Sequence, residues 1–223
     1  MKLRIRLLLS PQTQGWVRWS RRLCFMVGIV ALGYVGLTLL EARLFQAAAE
    51  RSIEGQIQVE KEHGVSLANP SAQPVVEPVV RPPVKKGDVL GLMEIPRLGL
   101  SVAILQGTSS HILRLGAGHI EGTPLPGEAG NIAIAGHRDT FFRDLKDIRP
   151  KDEIQIQTAT ELFRYEVDWV KVVDPDDVSV LAPSTESALT LVTCYPFYLV
   201  GPAPRRFVVH AHQTPPPALP DYE

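Results

Sequence analysis

Cys194 closes the strand-like run in "LTLVTCYPF", residues 189–197, and a Tyr-Pro pair follows it at once. A thiol can attack a carbonyl, bind a metal, form a disulfide or pack as a small hydrophobe. Its surroundings decide among these. The chain has only two cysteines, and the other, Cys24, lies in an uncharged apolar run. A bridge between them would need α-carbons within about 7 Å, one of them inside lipid if that run spans a membrane. Cys194 therefore reads as an unpaired thiol. In an oxidising compartment an unpaired thiol is a liability unless it is used. A buried, inert cysteine is the plain alternative.

A thiol nucleophile needs a partner that takes or supplies a proton, and histidine is the usual one. Of six histidines, His63 falls in a helix-like stalk and His212 near the C-terminal end, which leaves His111, His119, His137 and His210. In "GNIAIAGHRDTFF", Ile132 and Ile134 point one way along a strand, and Ala133, Ala135 and His137 point the other. The strand breaks at Gly136 and ends on His137. Cys194 and His137 thus both stand at ends of core-like strands, where a rigid scaffold presents side chains to a cleft. A strand-end histidine that only binds a backbone carbonyl is the competing reading. Acyl transfer also needs a donor for the developing oxyanion. Arg205 and Arg206 open the run "RFVVHAH", and a guanidinium keeps its charge and offers forked donors. A solvated edge-strand arginine would look the same. The lone thiol and scattered histidines lack zinc spacing, and neither a P-loop nor a GxGxxG occurs.

The elements that must position these groups follow from patterning. The net charge is -1 over 223 residues, so no broad basic field suggests nucleic acid. Positive charge is local: Lys2, Arg4, Arg6, Arg18, Arg21 and Arg22 crowd residues 1–22 with no acid among them. Residues 23–40, "LCFMVGIVALGYVGLTLL", carry no charge. About 18–20 apolar residues cross a bilayer core. The basic flank places the N-terminus in the cytoplasm and the rest outside, as a single-pass anchor of the cytoplasmic membrane. A cleaved signal peptide, with small residues at Ala47 to Ala49, is the alternative. Residues 41–86 read as a helical stalk followed by the proline-rich spacer "NPSAQPVVEPVVRPPV". Residues 214–223 read as a proline-rich tail.

Between 87 and 213 short apolar runs alternate with Gly, Pro and Asp. Candidate strands are "VLGLMEIP", "LSVAILQ", "GNIAIAGH", "EIQIQT", "LFRYEVDWVKVV", "ALTLVTC" and "RFVVHAH". Helix is expected only in short pieces, "SSHILRL" and "TFFRDLKD", with a turn near "DDVSVLAPS". So many short strands predict an all-β barrel or sandwich.

"GNIAIAGHR", "LTLVTCYPF" and "GPAPRRFVVHA", in this order, resemble the motifs of the sortases. The resemblance runs from "GDVLGLMEIPRLGL" to "RFVVHA" and includes "GHIEGTPLPGE". The Tyr-Pro after the cysteine and the spacing of "GPAPRRF" are most similar to class D. The resemblance implies a closed eight-stranded β-barrel and a catalytic site of Cys194, His137 and Arg206. It implies a cysteine transpeptidase that cleaves a Leu-Pro-x-Thr-Gly/Ala-like sorting motif in exported proteins through a thioacyl-enzyme. The acceptor would be an amine of cell-wall precursor or a pilin. Thr193 is expected to position substrate. No cofactor is expected. Some sortases bind calcium through loop acids, and Asp174, Asp176 and Asp177 lie before the cysteine strand, although loop acids are commonly just solvated. A thiol hydrolase on the same scaffold and a non-enzymatic, membrane-tethered binding module are the competing functions. The Ser-x-Gly-Cys pattern of L,D-transpeptidases is missing.

Overall fold

The computed structural model describes residues 11–64 and 84–215. Lys2, Arg4 and Arg6, the proline-rich spacer and the end of the tail lie outside the described residues. The chain divides into two units, Met1–Arg43 and Leu44–Glu223. The first unit holds the start of helix α1, Pro11–Gly64. Residues Arg18–Ala49 of α1 are long enough to cross a membrane, and an 18-residue window within them is apolar enough to do so, with mean hydropathy 2.3.

The second unit is a closed barrel. Its strands are β1 (Val89–Ile95), β2 (Leu100–Gln106), β3 (Ala117–His119), β4 (Asn131–Gly136), β5 (Glu153–Gln157), β6 (Leu162–Val173), β7 (Ala188–Tyr195) and β8 (Arg205–Thr214). Around the barrel they run β1-β2-β3-β4-β7-β8-β6-β5. The pairs β2–β3 and β4–β7 are parallel and the rest antiparallel. Closure leaves no long free edge, the usual hazard of β-rich domains. Alternate residues fill the interior: Ile132 and Ile134 of β4, Ile154 and Ile156 of β5, Leu189 and Leu191 of β7. This is the period-2 pattern of half-buried strands made three-dimensional.

All seven candidate strands are present, and β2 and β6 have the expected bounds. The eighth, β3, is only three residues long and lies in glycine-rich text. Its glycines answer a close approach of chains. A Cβ on Gly118 would come within 2.4 Å of the Gly107 carbonyl oxygen, and one on Gly116 within 2.5 Å of that of Ala103. "SSHILRL" forms helix α2, Ser110–Leu115, whose N-cap is Ser109. "TFFRDLKD" yields a 3-10 turn, Arg143–Asp147, in place of an α-helix.

Within this unit the stalk touches the barrel. Phe45 and Ala49 of α1 pack on Ala103, Leu105 and Ile112. β3 pairs with β2 only from Ile104 onward. The buried Ala103 N–H donates instead to Gln46 Oε1 at 2.7 Å, and Gln46 Nε2 donates to the Leu115 carbonyl. One side-chain amide thus satisfies two backbone groups, as a further stretch of strand would.

Candidate active site

β4, β7 and β8 are consecutive in the barrel wall, and one shared end of the three carries the proposed chemistry. In the parallel β4–β7 pair Gly136 lies beside Thr193, so His137 leaves β4 where Cys194 follows on β7. In the antiparallel β7–β8 pair Cys194 lies directly opposite Arg206. Such a pair has its β-carbons about 4.5–5.5 Å apart. Register therefore gathers three residues that are 57 and 12 positions apart in the chain: His137, Cys194 and Arg206. All three are half-buried.

Local sequence explains each placement. β4 can reach its end only with a glycine at 136, because a Cβ there would come within 2.7 Å of the Phe142 ring. Phe142 is fully buried, and its N–H donates to the His137 carbonyl at 3.0 Å. The chain thus folds back over Gly136 directly after the histidine. On β7 the inward set is Leu189, Leu191 and Thr193, so Cys194 falls on the outward set. On β8, Phe207, Val209 and Ala211 face the core, which puts Arg206 on the same outer face as Cys194. Arg206 Nη1 donates to the carbonyls of Ala203 at 3.3 Å and Arg205 at 3.1 Å. Among the described residues its other nitrogens have no partner. Arg205 lies on the opposite face and pairs with Asp174 at 3.7 Å, both well exposed.

Thr193 is buried, and its hydroxyl donates to the Gly136 carbonyl at 2.7 Å. It ties β7 to β4 one residue before His137. The other histidines stand elsewhere. His119 is buried, its ring nitrogens engaged by Gln106 Oε1 and the Pro124 carbonyl, each at 2.9 Å, and by Thr123 Oγ1 at 3.0 Å. Desolvation lowers its affinity for a proton. His210 and His212 both place Nδ1 on Asp168, at 2.9 and 2.6 Å, and His210 stacks on Trp169. Of the loop acids, Asp174 faces Arg205, and Asp177 accepts from the Ser179 N–H at 3.1 Å. Among the described residues no group of three His, Cys, Asp or Glu side chains could hold a metal ion.

Near this end of the barrel, sequence reasoning passed over Arg138. It is buried, and its guanidinium donates to three carbonyls of the loop that follows Cys194. The peptide bond Tyr195–Pro196 that opens this loop is cis.

An unpaired thiol, an imidazole and a guanidinium at one end of a closed barrel are the groups that cysteine acyl transfer calls for. A model of the sortase domain matches residues 93–214. Sortase D of Bacillus subtilis (strain 168) is 31% identical over 185 residues, 82% of this chain and 91% of that one. A Clostridium perfringens sortase D5 transpeptidase superposes with a TM-score of 0.59 at 27% identity, covering 78% of this chain and 99% of the other. A Clostridium perfringens sortase C with the C-terminal cell wall sorting motif has a TM-score of 0.55 at 28% identity, over 74% and 90% of the two chains. The chain belongs to the sortase family and is a cysteine transpeptidase.

Proposed function

We propose that Cys194, His137 and Arg206 carry out this transpeptidation on exported proteins that bear a Leu-Pro-x-Thr-Gly/Ala-like sorting motif. The observation that carries the reading is the register, which sets Cys194 opposite Arg206 and beside the end of β4 from which His137 emerges. The Cys194 sulfur attacks the threonine carbonyl as its proton passes to His137. Arg206 donates to the oxygen that becomes negative. His137 then protonates the leaving amine, and a thioacyl-enzyme remains. An incoming amine gives its proton to His137, attacks the thioester carbonyl and releases Cys194 as thiol. Thr193 acts indirectly, by holding Gly136 and so the start of the His137 turn. The acceptor is an amine of cell-wall precursor or a pilin. The apolar helix supports a single-pass membrane anchor, and the basic residues that precede it support the barrel's lying on the extracytoplasmic side. The sorting motif held by the Clostridium perfringens sortase C supports the substrate class.

The test is mass spectrometry of the protein incubated with Leu-Pro-x-Thr-Gly and Leu-Pro-x-Thr-Ala peptides. The parent should gain an acyl mass on Cys194, and Cys194→Ala should gain none. Added amine should divert product from acid to amide. Acid as sole product at saturating amine would identify a hydrolase instead.

A further inference from the structure

Burying a guanidinium is costly unless its donors are filled. Arg138 is 9% exposed, and among the described residues no carboxylate pairs with it. Its Nη1 donates to the Pro196 carbonyl at 3.0 Å, and its Nη2 to those of Leu199 and Gly201 at 2.7 Å each. All three acceptors are backbone atoms of the β7–β8 loop. The loop's Phe197 packs on the core, while Tyr198 is 80% exposed and Val200 98%. A fork with charge-assisted bonds to three carbonyls holds a loop in one shape far better than a single contact would. The same residue is bonded in sequence to His137. One dipeptide, His137-Arg138, therefore links the proton-transferring group to the segment that continues from the nucleophile.

We propose that Arg138 is a positioning residue of the transfer reaction: it fixes the Pro196–Gly201 loop, so that the loop forms one wall of the groove in which the peptide meets Cys194. This rests on the function proposed above. Arg138 itself touches neither thiol nor peptide. Its loss loosens the groove wall and leaves the nucleophile intact. The effect falls on peptide binding and alignment, not on the thiol.

The experiment compares the parent with Arg138→Lys, Arg138→Gln and Gly201→Ala. Lysine keeps the charge and loses the fork. Gly201 has φ +109° and open space around it, so alanine strains the loop from its exposed side without a clash. That variant carries the test if Arg138→Gln fails to fold. Each variant should raise KM for the sorting peptide about tenfold or more, since misplacement of about 1 Å is enough for such losses. The alkylation rate of Cys194 by iodoacetamide should stay within about twofold of the parent. Amide exchange at residues 198–201 should accelerate in both Arg138 variants. Parent-like KM in Arg138→Lys would overturn the proposal, because charge alone would then suffice. So would alkylation that falls in step with kcat/KM, or unchanged exchange in the loop. A parent that forms no acyl-enzyme overturns the functional reading as well. Failure of the Arg138 role alone leaves the parent active.

Discussion

Replacing Arg206 by alanine should lower kcat/KM for peptide cleavage by about 10²–10³, the cost of one oxyanion donor. The structure supplies the reasons for that size. Arg206 faces Cys194 across a directly opposed antiparallel pair. Only its Nη1 is engaged, by two carbonyls at 3.1 and 3.3 Å, so among the described residues the rest of the fork has no other partner. Among the described residues no carboxylate has to be displaced before it turns to an oxyanion. Arg206→Lys should recover activity only in part, because a point charge cannot reproduce two parallel donors. Arg205 is the internal control, one residue away with the same charge. Its pairing with Asp174 spans 3.7 Å between side chains 57% and 72% exposed. Such a contact is worth less than about 1 kcal/mol, so Arg205→Ala should cost less than about fivefold. Steady-state cleavage of a sorting peptide, with single-turnover accumulation of the acyl-enzyme, measures all three variants. A loss below about threefold at Arg206, or a larger loss at Arg205, would refute the oxyanion assignment.

Gln46→Ala leaves the buried Ala103 N–H without its acceptor and should destabilise the barrel by about 1–3 kcal/mol, read from urea unfolding of the chain from residue 41 onward. An unchanged midpoint would show that water replaces the amide. Lys151 has φ 73° in the turn that the Asp152 N–H closes on the Arg149 carbonyl. Lys151→Gly should therefore stabilise by about 0.5–1 kcal/mol, and destabilisation would refute the strain argument. Asp152 accepts from the Arg97 guanidinium and from the Arg149 N–H, and the hydrogen bonds from Arg97 lead in holding its carboxyl below the usual carboxylate range. A depressed carboxyl contributes stability above its unfolded value of about 3.9 and loses that contribution as pH falls through the folded value. Asp152→Asn should accordingly lower stability near neutrality and flatten the acid limb of a melting-temperature profile below about pH 4. An unaltered acid limb would place the titration elsewhere.

The strands and the candidate reactive groups are readable because both leave local marks. Ile132 and Ile134 alternate with small residues, Ile154 and Ile156 with glutamines, and Cys194 ends an apolar run. What brings the groups together is register, and register has no local mark. Nothing in "RRFVVHA" says that Arg206, and not Arg205, lies opposite Cys194, since both parities contain valine. The inward packing of Phe207, Val209 and Ala211 decides it. β3 was missed for a related reason. Strand propensity resides in side chains that fill a pleated surface, whereas Gly118 is there because the Gly107 backbone passes too close for any side chain. Arg138 and Gln46 were missed because their partners are backbone carbonyls and amides 57 to 69 residues away, and those groups are identical at every position of the chain. Tests confined to the motif residues would miss this layer. Pattern picks out the candidate thiol, imidazole and guanidinium, while Gln46 and Arg138, bonded to distant main chain, hold the barrel wall at β2 and the loop after Cys194.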